Sequence, residues 1–225
     1  MTAARALRVL VRRDLPYAEG LALQQETLKF LRADPDAAET LIFAEHRPVV
    51  TLGRTGNPAH LRLSEAALAA QGVEFHRITR GGDITYHGPG QWTMYPILRL
   101  GTFCRDLHRY MHLLEEMVIR FLDGHGVRAG RRDINTGVWV GRNKLCAVGI
   151  ACSAWISWHG CAVNIQPDLR NFTDLIMPCG ISPADGGVTS LARETGKEYD
   201  MEAERERLTA AFTAVFPYTV IPAAE

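Results

Sequence analysis

Residues 127–165 leave the chain few ways to fold. They read as strand after strand, VRA, GVWVG, KLCAVGIAC, AWISWHG and CAVNI, with only short turn-forming gaps between them. A parallel pair of strands needs a crossover of a dozen or more residues, whereas an antiparallel pair can close over two. These spacings therefore predict an antiparallel meander, and the helices that cover it must come from the flanks.

The flanks supply them. DLHRYMHLLEEMVIRFLDGHG carries Leu107, Tyr110, Met111, Leu114, Met117, Val118 and Phe121 as one helical stripe, closed by Gly124 and Gly126. YAEGLALQQETLKFLR places Ala18, Leu21, Gln25, Leu28 and Leu31 at helical spacing, and MEAERERLTAAFTAVF predicts a last helix beginning at Asp200. Ser64 suits the N-cap of SEAALAAQ and Gly72 its stop. Further strands are expected at 5–12, 40–46, 73–78 and 92–98, the last with a proline that points to an edge or a bulge. No linker, repeat or low-complexity tract divides the chain. The expectation is one domain over residues 1–225, of the α+β class, with a mixed, largely antiparallel sheet flanked by helices.

Bulk properties exclude more than they assert. Lys plus Arg and Asp plus Glu both total 25, so no overall basic footprint for nucleic acid exists. No apolar run approaches a bilayer span and no signal-peptide core is present, so neither membrane insertion nor secretion is expected. Four arginines precede the first acid, but the alternation in RALRVLVR favours a first strand over a transit segment. The cysteines at 104, 146, 152, 161 and 179 are odd in number and form no CxxC pair. They predict free thiols in a reducing compartment.

Three segments can carry chemistry. RGGDITYHGPGQ (80–91) is neither a dinucleotide fingerprint nor a P-loop, and GRTGN (53–57) fails the same tests. Glycines 81, 82, 88 and 90 either form a cheap hairpin connection or let backbone approach a ligand closely. In MPCGI (177–181), Cys179 lies between a stiffening proline and a glycine whose amide is unshielded, an arrangement that suits a nucleophile beside an oxyanion donor. A buried, inert thiol is the alternative. Lys144 heads an apolar strand, and a period of two puts Cys146 and Val148 on its face. A lysine there either loses its proton readily or favours a nearby thiolate, unless it merely snorkels at an edge. His159–Gly160 repeats the His87–Gly88 pair, yet the histidines and cysteines show no spacing of a metal cluster.

In this order and at these separations, RGGDITYHGPGQ, GVWVGRNKLCAVG, SWHGCAVN and IMPCGI resemble the octanoyltransferases of lipoate biosynthesis, the lipoyl(octanoyl) transferase family. EHRPVVTLGR (45–54) and GVTSL (187–191) fit the same pattern, so the resemblance covers most of the chain. It implies the fold of the biotin and lipoate protein ligases. It also implies a reaction that moves an octanoyl group from octanoyl-acyl carrier protein to one lysine of a lipoyl domain. The implied acceptors are the lipoyl domains of 2-oxoacid dehydrogenase E2 subunits and the glycine cleavage H protein, in the cytoplasm. By this likeness Cys179 is the acyl-thioester nucleophile and Lys144 the residue that activates it. Arg80, Gly81, Gly82, Asp83, Ile84, Thr85, Tyr86 and His87 would line the acyl site, with Ala147, Val148 and Gly149, and with His159, Gly160 and Cys161. His46 would border it. Amides of Gly180 or of the GGD segment are candidate oxyanion donors. No cofactor, metal or ATP is implied.

The chain departs from the family in one respect. Family members often carry arginines after the strand that here ends KLCAVGI, where this chain reads ACSAWIS. If such arginines receive an acidic carrier protein, Arg131, Arg132 and Arg142 are the substitutes. Three rivals stand beside the transferase: an ATP-dependent ligase of the same fold, a non-catalytic binding module, and a cysteine hydrolase pairing His87 or His159 with Cys179. The resemblance speaks against the ligase, which carries an aspartate where this loop reads HGPGQ.

Overall fold

The computed structural model describes residues 5–178, 181 and 184–222. Among these, the first half of the chain forms β1 (Arg5–Leu15), α1 (Tyr17–Ala33), β2 (Glu39–His46), β3 (Val49–Leu52), α2 (Glu65–Ala70), β4 (Glu74–Arg77), β5 (Ile84–His87), β6 (Gln91–Ile97) and α3 (Leu107–Asp123). The second half forms β7 (Gly137–Val140), β8 (Asn143–Ser153), β9 (Ile156–Asn164), α4 (Arg170–Asp174), β10 (Gly187–Val188), α5 (Leu191–Thr195), α6 (Met201–Val215) and β11 (Tyr218–Val220). No helix among the described residues is long and apolar enough to cross a membrane.

The meander appears as β7–β8–β9, antiparallel throughout, and continues through β6 to β2. Parallel pairs occur at the margins, β2 with β1, β1 with β11, and β8 with β10. The sheet runs in the order β10-β8-β9-β6-β2-β1-β11, with β7 beside β8. A smaller sheet, β4-β3-β5, carries the segment that ends in the HGPGQ loop. VRA is not a strand; only an isolated bridge between Gly130 and Trp139 marks that approach. AWISWHG and CAVNI, expected as two strands, are one.

All eight residues of β2 are buried, and their period of two divides them between two cores. Leu41 and Phe43 meet α3 and α6 through Leu114, Met117, Val118, Phe121, Leu208 and Phe212. Ile42 and Ala44 meet Leu28 and Leu31 of α1. Burying a side chain of this size is worth about 1.5–3 kcal/mol, so the central strand is fixed from both faces. Asp106 caps α3 by accepting from the amides of His108 and Arg109, and Asp200 caps α6. Two stripe expectations need correction. The buried face of α1 is Tyr17, Gly20, Gln24, Leu28 and Leu31, so Ala18 and Gln25 point outward. Leu107 is exposed because it opens the first turn of α3, outside the packed stripe.

Pro96 lies on an interior strand, not an edge. The β6–β9 ladder runs from Gln91 opposite Asn164 to Met94 opposite Cys161 and stops. It resumes at the Arg99–Ile156 bridge, a register in which Pro96 faces His159. Proline has no N–H to give, and His159 takes a φ of 54° and donates its own N–H to Gln24 Oε1 at 2.9 Å. A missing donor on one strand thus twists a histidine on the next, and left-handed backbone at a non-glycine residue is concentrated at functional sites.

Candidate active site

One cavity of about 320 Å³ gathers most of the residues singled out from the sequence. The glycine loop brings Arg80, Gly81, Gly82 and Asp83 to it, and β5 brings Thr85 and His87. Ile84 and Tyr86 alternate to the other face of β5, where they pack with Phe172 and Leu175. Tyr86 meets Phe172 edge-on with ring centroids 5.3 Å apart, and its hydroxyl accepts from Asn171 at 3.0 Å. β8 supplies Lys144, Ala147, Val148 and Gly149, and β9 supplies His159, Gly160 and Cys161. His46 stands behind this wall. Its Nδ1 donates to Leu15 O at 3.0 Å, so its Nε2 accepts from Tyr95, which does line the cavity, at 2.7 Å. Tyr17, Thr55, Tyr95, Met111, Asn135 and Thr136 also contribute, and no local motif marks them.

The three histidines are kept neutral. Burial, more than any neighbour, lowers the pKa of His46 to about 4 and of His87 and His159 to about 3. His87 is held by Gln91 Oε1 at 2.7 Å from Nδ1 and stacks parallel to Tyr17, centroids 6.4 Å apart. His159 Nε2 is buried with no hydrogen-bond partner among the described residues. The guanidinium of Arg80, which lines the cavity, is cradled by oxygens: Nη2 donates to Thr51 O at 2.8 Å and Thr51 Oγ1 at 2.9 Å, and Nη1 to Gly81 O at 3.0 Å.

The glycine loop is clamped on two sides. Gly81 N donates to Ile150 O at 2.9 Å, so that amide is spent on β8 and is not an oxyanion donor. A methyl added at Gly81 meets only Ile150 O, at 3.5 Å, whereas Gly82 needs its freedom for a φ of 83°. On the other side GRTGN, which carries no fingerprint of its own, lies against the loop. A Cβ on Gly53 would stand 2.2 Å from Gly82 O.

Lys144 is 4% exposed. Nζ donates to Asn135 Oδ1 and, at 3.0 Å, to Thr136 O, and it lies 5.0 Å from the centroid of the Trp139 ring. These partners are placed by α3: Glu115 Oε1 accepts from Gly137 N at 2.8 Å, and Glu115 Oε2 from Arg131 Nε at 2.9 Å. Cys146 does not share this face. Trp139 pairs with Lys144 but Val138 with Cys146, so Leu145 is an extra residue, a β-bulge that inverts the alternation. Cys146 turns into the core with Val138 and Val163, and burial, aided by the neighbouring Cys161, pushes its thiol well up.

Cys179, the expected nucleophile, and Gly180, an expected oxyanion donor, lie outside the described residues. Pro178, the residue before Cys179, is described. It lines a small recess with Lys144, Thr85, Ala147 and Ala162, all four of which also line the main cavity. Of the arginines nominated for a carrier protein, Arg131 is engaged with Glu115 and Glu116. Arg132 donates to Asp185 O at 2.8 Å and stacks over Trp139, and Arg142 donates to Ala184 O.

Comparison with known proteins agrees with this architecture. Residues 16–213 match the lipoyl protein ligase A/B catalytic domain family. An octanoyltransferase of Chloroflexus aggregans is 45% identical over 195 residues, covering 85% of this chain and 87% of the relative. One from Parabacteroides distasonis is 41% identical over 215 residues, covering 90% and 95%. Among solved structures, a bipartite lipoate protein ligase of Thermoplasma acidophilum superposes with a TM-score of 0.73 over 97% of this chain and 88% of that one. At 15% identity that likeness is one of fold alone.

Proposed function

We propose that this chain, which belongs to the lipoyl protein ligase A/B catalytic family and within it to the octanoyltransferases, carries an octanoyl group on Cys179 between octanoyl-acyl carrier protein and a lysine of a lipoyl domain. The chain is an acyltransferase, and the finer reading concerns donor, acceptor and intermediate. The supporting observation is that Lys144 and Pro178 line one recess that shares Thr85, Lys144, Ala147 and Ala162 with the lining of the cavity. Because both sheets line that cavity, we read them as one catalytic domain, working in the cytoplasm and needing no cofactor.

The step balances without ATP. The Cys179 thiolate attacks the donor's thioester carbonyl, and the carrier's thiolate leaves. An ammonium at Lys144 makes the Cys179 thiolate accessible at neutral pH, where a free cysteine is only a few per cent ionised. Once that thiolate is acylated, Lys144 gives its proton to the departing carrier thiolate. The neutral amine then takes a proton from the attacking acceptor lysine as the amide forms and the Cys179 thiolate is released, restoring the starting pair. The acyl chain itself provides affinity: seven carbons at ~0.8 kcal/mol each give about 5–6 kcal/mol if fully buried. Discrimination against a chain one methylene longer or shorter is only about 1–3 kcal/mol, so selection by length is leaky.

Intact-mass analysis after mixing with octanoyl-acyl carrier protein tests the reading. It predicts one octanoyl adduct, released by hydroxylamine, mapping to Cys179 and lost in Cys179→Ser. Acylation that requires ATP, or an adduct that persists in Cys179→Ser, contradicts it.

A further inference from the structure

We infer that His60 and Asp83 form a positioning pair that locks the glycine loop to the segment leading into Cys179, holding acyl group and nucleophile in register. The inference rests on the proposal that Cys179 carries the acyl group.

The chain from Gly53 to His60 folds back across the glycine loop. Arg54 N donates to Arg80 O at 3.0 Å and Thr55 Oγ1 to Gly82 O at 3.2 Å. Asp83 was expected to face substrate, and it does border the cavity, but its carboxylate faces this returning segment. Oδ1 accepts from Asn57 N at 2.9 Å, and Oδ2 lies 2.5 Å from His60 Nδ1. Asn57 and Pro58 set a short turn, with Asn57 Oδ1 accepting from Ala59 N, that presents the imidazole.

His60 also faces the other way. Its carbonyl accepts from Met177 N at 2.7 Å, the next residue bridges Leu61 to Ile176, and Arg62 N donates to Leu175 O at 2.9 Å. One residue therefore holds the glycine loop by its ring and, by its backbone, a segment that ends two residues before Cys179. The two side chains are 22% and 19% exposed, and pairs that reach solvent contribute little to stability. What the pair does contribute is position, and misplacement by an ångström can slow a reaction about a hundredfold.

The test uses the full chain and two single-turnover rates. One is acylation of Cys179 by a small octanoyl thioester, which removes carrier docking from the measurement. The other is alkylation of Cys179 by iodoacetamide, which needs the thiolate but no aligned acyl group. His60→Phe should slow acylation by about tenfold to a hundredfold while alkylation stays within about twofold, and His60→Asn, which restores an N–H donor, should recover most of the loss. Asp83→Ala should slow acylation similarly, and the double variant His60→Phe/Asp83→Ala should be no slower than the slower single, as expected of residues acting as one unit. The inference is overturned if His60→Phe acylates at the wild-type rate, if acylation and alkylation fall together, or if the double variant shows the product of the two losses. Absence of any adduct on the wild-type chain removes the proposed function and this inference with it, whereas a wild-type adduct with indifferent His60 variants removes the inference alone.

Discussion

Glu115 is a buried carboxylate on α3 whose two oxygens do different work. Oε1 holds the amide that starts β7, directly after the two residues that hold Lys144, and Oε2 holds Arg131. In Glu115→Ala the buried Gly137 N–H loses a charged acceptor. A hydrogen bond to a charged group is worth about 1.5–3 kcal/mol, and a donor left unsatisfied costs about 1–3 kcal/mol. The Arg131 side chain is 36% exposed, so its pair adds less than about 1 kcal/mol. These figures overlap, and about 3 kcal/mol is the expected loss. For a chain of this length that lowers Tm by about 6–12 °C. Glu115→Gln keeps an oxygen for Gly137 and should lose only about 1 kcal/mol. Urea unfolding followed by circular dichroism measures both. The same variants report on the site, because a looser 135–137 segment should slow transfer more in Glu115→Ala than in Glu115→Gln. Equal stability of wild type and Glu115→Ala, or equal damage from both variants, would refute the relay from α3 to Lys144.

Three other outcomes follow from the same geometry. Gly53→Ala forces a Cβ to within 2.2 Å of a backbone oxygen, a clash no side-chain rotation relieves; it should cost about 1–3 kcal/mol and slow acylation, read by urea midpoint and by single-turnover rate. The buried histidines make the fold acid-sensitive. Unfolded histidine takes its proton near pH 6.5 whereas His46, His87 and His159 do so only near 4, 3 and 3, so below about 6.5 the unfolded chain binds more protons and stability falls with pH. Urea midpoints from pH 7.5 to 4.5 should decline with a slope approaching three protons, and a flat profile contradicts the burial of these rings. Cys146 should resist iodoacetamide in the native enzyme, and Cys146→Ala should retain transfer, measured by peptide mapping and by octanoylation rate; loss of transfer would move the nucleophile.

The meander and the long helix were legible because each depends on local spacing, whereas the clustering of the glycine loop with β8 and β9 was legible only through the resemblance carried by the motifs together. The errors arose where tertiary structure overrides that spacing. A period of two assigns Cys146 to the face of Lys144, and a single inserted residue, Leu145, reverses it; nothing in KLCAVG announces a bulge. Proline predicted an edge strand or a bulge, and the sheet instead accommodates Pro96 in its interior by breaking the ladder opposite a strained His159. GRTGN was set aside for lacking a phosphate-binding pattern, yet its glycine is there for a backbone approach of another kind. Tyr17 reaches the cavity beside His46 and His87, through contacts distant in sequence that no motif records.

The account rests on an ammonium at Lys144 acting on the sulfur of Cys179. Its most direct measurement is the pH dependence of Cys179 alkylation in the wild type and in Lys144→Met, which keeps much of the side-chain length and removes the charge. The wild-type midpoint should lie well below the free-cysteine value of about 8.5, and Lys144→Met should return it to that value or above. A midpoint that is the same in both proteins would contradict the claim.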